Sequence, residues 1–197
     1  MRKSLVLLSL VAAPALAADV GGPAPEFSLP DLDGKVVKLS DLHGRTVVLE
    51  WFNPGCPFVR ASHTRGTLVD DAARHQGAGV VWLAINSAAP GKQGYGVETN
   101  RDAARQYRMS YPVLLDESGQ VGRAYGATNT PGMIVIDREG RLVYRGAIDN
   151  SPDGEQQAPQ GGTLVDYVSA ALDDLAAGRP VRYPETKQYG CSVKYRS

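Results

Sequence analysis

The feature that most constrains this chain is an apolar run, Thr46 to Phe52, that stops at Asn53-Pro54-Gly55 and is followed at once by Cys56-Pro57. A short run rich in β-branched residues reads as a buried strand. Asn-Pro-Gly is turn chemistry and ends it. Proline is tolerated in a first helical turn, so Pro57 opens a predicted helix to about Gln76, closed by Gly77 and Gly79. This order sets a cysteine at a strand-to-helix junction. There the helix dipole and the free backbone N–H groups favour a thiolate. A thiolate is the nucleophile of disulfide exchange and of attack on peroxides. The competing reading is an inert, buried cysteine acting as a small hydrophobe.

The remaining elements alternate in the same manner. Lys35 to Leu39 reads as a short strand and Ser40-Asp41 as a turn, after an extended lead-in over residues 19–33. Val80 to Ile85 is a second buried strand, and Ser87 to Val97 is a Gly/Ala/Pro-rich loop. Thr99 and Asp102 have capping-box-like spacing and open a predicted helix to about Met109. A strand is expected from Tyr111 to Leu115 and a short helix from Gln120 to Tyr125. Met133 to Ile136 and Leu142 to Gly146 form a hairpin across Asp137-Arg138-Glu139-Gly140. Asn150 to Gly162 is loop, and Thr163 to Ala177 is an amphipathic helix stopped by Gly178 and Pro180. Such alternation predicts an α/β fold with a central mixed β-sheet flanked by helices.

A chain of 197 residues suggests one domain. Its 21 basic and 21 acidic residues cancel, which argues against nucleic acid as a partner. Arg2 and Lys3, the apolar stretch Leu5 to Ala13 and the small-residue site Ala15-Leu16-Ala17 predict a signal peptide over residues 1–17, cleaved after Ala17. The apolar stretch is too short to span a bilayer, and no cysteine follows to take a lipid, so no stable membrane anchor is expected after cleavage. An uncleaved anchor is the alternative. Residues 18–180 would form the domain and residues 181–197 a C-terminal tail carrying Cys191. Export to a periplasm or the medium is expected, where disulfides persist.

Only two cysteines are present, Cys56 and Cys191, so no disulfide framework of the small secreted kind is expected. Cys191 has three open readings: a resolving thiol, half of a structural disulfide, or a spare thiol. No His/Cys cluster has metal-ligand spacing, and neither a metal nor another cofactor is expected. His63 falls about 10 Å along the helix from Cys56. It is expected at the surface, as are His43 and His75.

Four stretches carry a resemblance. They are Pro23 to Asp31 with Asp33-Gly34-Lys35; Val47 to Phe52 running into Gly55-Cys56-Pro57; Thr130-Pro131-Gly132; and Met133 to Asp137 with Glu139-Gly140-Arg141. In this order they are similar to the thioredoxin superfamily, and more closely to its redoxin (AhpC/TSA) branch with TlpA-like and peroxiredoxin-like proteins. The resemblance runs from about Pro23 to Ala177. It implies a thioredoxin-like fold, with Cys56 at the first position of C-x-x-C, Glu50 as the buried acid and Pro131 as a cis-proline against the cysteine. Val59 replaces the second cysteine. Asn53 and Leu49 stand where a peroxiredoxin pattern expects Thr or Ser and Pro, and Arg60 replaces the second cysteine of copper-chaperone relatives.

The resemblance therefore implies a thiol–disulfide oxidoreductase. Cys56 would attack a disulfide, and Cys191 or an external thiol would resolve the mixed disulfide. Glu50 would exchange protons with the thiol or serve as a paired structural acid. Thr130 and Pro131 would present backbone to a docked substrate, with Phe58 as an apolar rim or a core residue. Partners would be protein or small-molecule thiols and disulfides. A thiol peroxidase acting on peroxide is one alternative. The other is a non-catalytic binding protein stapled by a Cys56–Cys191 disulfide.

Overall fold

The computed structural model describes residues 17–66, 68–152, 154–155 and 157–196. The predicted signal peptide, all but its last residue, lies outside the described residues. The centre is a five-stranded sheet of β3 (Val47–Trp51), β4 (Val81–Asn86), β5 (Val113–Leu115), β7 (Gly132–Ile136) and β8 (Leu142–Gly146), in the order β5-β4-β3-β7-β8. β3 runs parallel to β4, and β4 to β5, whereas β7 and β8 are antiparallel to their neighbours. The sheet is thus mixed, as expected.

β3 lies at the middle of that order, and all five of its residues are buried. Its pleat sends alternate side chains to opposite faces. Val48 and Phe52 join one apolar cluster with residues of α1 (Pro57–Thr64), α2 (Leu68–Gly77), α3 (Val97–Gln106) and α5 (Tyr167–Ala176). Val47, Leu49 and Trp51 join the other, against a hairpin of β1 (Ser28–Pro30) and β2 (Val36–Lys38) and beside α4 (Gln120–Ala124). Each fully buried Val or Leu stabilises by roughly 1.5–3 kcal/mol, so this double face fixes the register of β3 and hence where Cys56 emerges.

Three element ends differ from expectation, each for a local reason. The helix predicted to run from Pro57 to Gln76 is two helices. The N–H groups of Arg65 and Gly66 both turn back onto the Ala61 carbonyl, and a Cβ at Gly66 would lie 2.7 Å from the Ser62 carbonyl oxygen. α3 starts at Val97 behind Gly96, so Thr99 is not its cap; the Asn100 amide instead ties down the carbonyls of Gly94 and Gly96. α5 begins at Tyr167, because Asn150 holds Thr163 and Val165 in the loop through both ends of its amide, and Asp166 then caps the Ser169 N–H.

The tail is part of the fold. Asp174 on α5 accepts hydrogen bonds from Arg179 and Arg182, turning the chain back. Residues Pro184 to Thr186 bond with the Arg145 backbone on β8. The last strand, β9 (Cys191–Ser192), then pairs antiparallel with β6 (Asn129–Thr130).

Candidate active site

Cys56 is the N-cap of α1, with extended backbone and Pro57 behind it. Its N–H donates to the Asn53 carbonyl at 3.0 Å and its carbonyl accepts from Arg60 N–H at 3.0 Å, closing the turn that Asn53-Pro54-Gly55 predicted. The residue is 1 % exposed. Its Sγ donates to the Thr130 carbonyl at 3.1 Å, and the Thr130–Pro131 peptide is cis. Cys56, Thr130 and Pro131 therefore meet in space, 74 positions apart along the chain for the hydrogen-bonded pair.

β9 completes the arrangement. Cys191 is the Cα partner of Thr130 and Ser192 that of Asn129. Gly190 makes this possible: its φ is +98°, and a Cβ there would lie 2.2 Å from the Thr130 carbonyl oxygen. Both cysteines are free thiols. Burial alone would raise the Cys56 thiol, but hydrogen bonds from the Cys191 thiol, the Val59 backbone N–H, the Thr130 hydroxyl and the Cys191 backbone outweigh it and lower its pKa. The N–H of Val59 is one of the unpaired donors at the start of α1. Cys191 goes the other way. Burial, its hydrogen bond to Cys56 and the Cys56 charge push it up to about 11, against a small pull from Lys194. Of the two thiols, Cys56 is therefore the more acidic.

The tail is secured on both sides of Cys191. Before it, the Gln188 side-chain oxygen accepts from Asn129 N–H and the Thr128 hydroxyl. The Tyr189 hydroxyl donates to Asp149 at 3.1 Å, and its ring lies 6.0 Å from Phe58. After it, Val193 N–H donates to the Thr128 carbonyl and Tyr195 OH to the Ala127 carbonyl, with Arg123 4.4 Å over the Tyr195 ring. Phe58 is half-buried and sits between core and rim.

Glu50 faces elsewhere. Its side chain is 0 % exposed; one oxygen meets His63 Nε2 at 2.7 Å and the other accepts from the Tyr111 hydroxyl at 2.8 Å. The Tyr111 hydroxyl is held well above its ordinary pKa by burial and by the Glu50 charge. The expectation of a surface His63 is corrected: its side chain is 0 % exposed, stacked on Tyr107 and edge-on to Phe52. It lies four residues after the buried Val59, so α1 turns both toward β3. That spacing was a readable signal. His75 is likewise buried, against the Ser169 hydroxyl at 3.0 Å, whereas His43 is exposed as expected. Among the described residues, no group of three or more His, Cys, Asp or Glu side chains is placed to hold a metal ion.

Comparison with known proteins identifies the family. The Redoxin family matches residues 19–160, which include Cys56 and the cis-proline and stop short of the tail. The thiol-disulfide oxidoreductase ResA of Bacillus thuringiensis is 26 % identical over 129 residues, 64 % of this chain and 68 % of that protein. An uncharacterized conserved protein of Geobacillus kaustophilus has a solved structure with a TM-score of 0.78 at 32 % identity, covering 94 % of this chain and 98 % of that one. A protein of Sinorhizobium meliloti gives a TM-score of 0.78 at 28 % identity, covering 92 % and 97 %. With a thioredoxin-like sheet, a helix-capping cysteine against a cis-proline and a match over most of its length, the chain belongs to the Redoxin family.

Proposed function

We propose that the protein is an exported thiol–disulfide oxidoreductase whose redox couple is Cys56 and Cys191. The observation that carries this reading is the pairing of β9 with β6, which sets Cys191 opposite the residue whose carbonyl contacts Cys56 Sγ. In the dithiol form Cys56 is the more acidic thiol and Cys191 the less acidic one. Disulfide formation joins the two sulfurs and removes two electrons, which pass to a substrate disulfide as it opens to two thiols. Reduction runs the same exchange backward. Thr130 and Pro131 hold Cys56 in place, and Phe58 supports the tail through Tyr189. Glu50 acts with His63 and Tyr111 as a buried, hydrogen-bonded acid beneath the site.

The similarity to ResA, named a thiol-disulfide oxidoreductase, supports the chemistry. Arg2, Lys3, the apolar stretch after them and Ala15-Leu16-Ala17 support export with cleavage after Ala17. The test is a redox titration of mature protein with alkylation of the remaining thiols. A Cys56–Cys191 bridge that opens reversibly at a mild potential, and catalytic dithiol–disulfide turnover lost in Cys56→Ser, is the expected result. A bridge that resists strong reductant would make it a structural staple. Rapid, Cys56-dependent consumption of peroxide would identify a peroxidase instead.

A further inference from the structure

We infer that outside thiols exchange with the sulfur of Cys191 while the tail stays docked, and that Cys56 acts only inside the protein. The inference rests on the Cys56–Cys191 couple proposed above and names the sulfur at which its partners enter. It inverts the order the sequence suggested, in which Cys56 attacks the substrate.

Three observations carry it. The first is access. Cys56 is 1 % exposed, whereas Cys191 is half-buried on a short strand whose next residue, Ser192, is exposed. Two segments cover Cys56. The tail lies on one side, and the loop after β4 reaches Gly55 and Asn53 through Gln93, at 3.0 Å each, on the other. The two covers are joined by Ala89 N–H donating to the Lys194 carbonyl at 2.9 Å.

The second is attachment. Gln188, Gly190, Val193 and Tyr195 all bond to residues 127–129, so hydrogen bonds flank Cys191 in both directions. Exposing Cys56 would require breaking that run, whereas exchange at Cys191 requires none of it. The third is the chemistry of the leaving group. An attacking thiolate, the attacked sulfur and the leaving sulfur form one displacement, and the more acidic thiol leaves faster. Cys56, at the start of α1 with the Val59 N–H directed at it, is that thiol. Lys194, close enough to act on the Cys191 charge, adds a cation near that sulfur.

The steps balance. A substrate dithiol, as its thiolate, attacks the Cys191 sulfur of the oxidised protein. The substrate–Cys191 bond forms, the Cys191–Cys56 bond breaks, and Cys56 leaves as thiolate. The second substrate thiolate then attacks the first substrate sulfur. Cys191 leaves and takes up a proton, and the substrate has lost two electrons and become a disulfide. The partner class is therefore a dithiol, or a disulfide for the reverse direction, on a chain or molecule that can reach the tail's outer surface.

The test compares two single-cysteine forms of the full mature chain, Cys56→Ser and Cys191→Ser, reacting with the aromatic disulfide 5,5′-dithiobis(2-nitrobenzoate) at pH 8. Cys56→Ser, which keeps Cys191, should form its mixed disulfide at least tenfold faster. In the oxidised wild-type chain, a brief pulse of 2-mercaptoethanol quenched in acid should leave the adduct on Cys191 and Cys56 free for alkylation, read by peptide mapping. Tyr189→Ala, which loosens the tail, should speed alkylation of Cys56 and slow turnover. Faster reaction of the Cys191→Ser form, an adduct on Cys56, or turnover that rises in Tyr189→Ala overturns the inference and leaves the redox couple standing. Failure of the wild-type chain to form a reversible Cys56–Cys191 bridge instead removes the couple itself.

Discussion

The two walls around the paired thiols are built by opposite means. The wall carrying Cys56 is core: β3 and the inner face of α1 are buried, and their one acidic side chain, Glu50, is matched at both oxygens by His63 and Tyr111. The wall carrying Cys191 is a strap. It is held by hydroxyl and amide groups of Gln188, Tyr189 and Tyr195, each hydrogen-bonded to the fold, and by a two-residue strand. One wall draws its stability from burial and the other from individual hydrogen bonds. The first is therefore intolerant of change, and the second can be loosened one contact at a time.

Glu50→Ala should break the comparison most severely. It leaves His63 and the Tyr111 hydroxyl buried without their acceptor, and loss of one member of a buried pair costs about 3–5 kcal/mol. Urea denaturation of the reduced protein measures it; a loss below about 1 kcal/mol would mean the first wall is not the rigid one. Gly190→Ala acts on the other wall. Its Cβ meets the Thr130 carbonyl, and its left-handed backbone alone costs roughly 1–2 kcal/mol for a non-glycine residue. The outcome should be a folded domain with unchanged far-ultraviolet circular dichroism, a displaced tail and Cys56 alkylated at least tenfold faster.

Tyr189→Phe removes one hydroxyl contact and should cost about 1 kcal/mol, with the ring still packed on Phe58. The smallest effect concerns acid. Hydrogen bonds from Arg182, opposed by burial and joined by Arg179, hold the Asp174 carboxyl well below the usual carboxylate range. Its pKa is thus lower folded than unfolded. Its contribution is complete above about pH 4 and is lost as pH falls further toward the folded value. Limited pepsin digestion between pH 2.5 and 4 should cut the tail progressively faster in wild type and with a flatter pH profile in Asp174→Asn.

Much of the first wall was legible because its causes are local. The run Thr46 to Phe52, the Asn-Pro-Gly turn and Pro57 describe strand, turn and helix start within a dozen residues, and the structure follows them. The cis Thr130–Pro131 peptide came from resemblance rather than from any local pattern. The Gly66 break was missed because it depends on a close approach to Ser62 and Gly154, which no helix propensity encodes. His63 was misread because distance from Cys56 along α1 was weighed, and the face it shares with Val59 was not. The tail was least legible. Cys191 reaches Thr130 through a two-residue pairing of segments 61 positions apart, too short for a sequence period to register.

Gly190 bears on how other chains of this kind are read. A search for a redox pair by C-x-x-C spacing passes over this protein, since Val59 fills the second position. The two cysteines instead meet through a Gly-Cys dipeptide, where only a residue without a Cβ lets the backbone close on the carbonyl before the cis-proline. A lone cysteine before a helix, with a distant Gly-Cys and no second cysteine nearby, is thus a signature to look for in its own right.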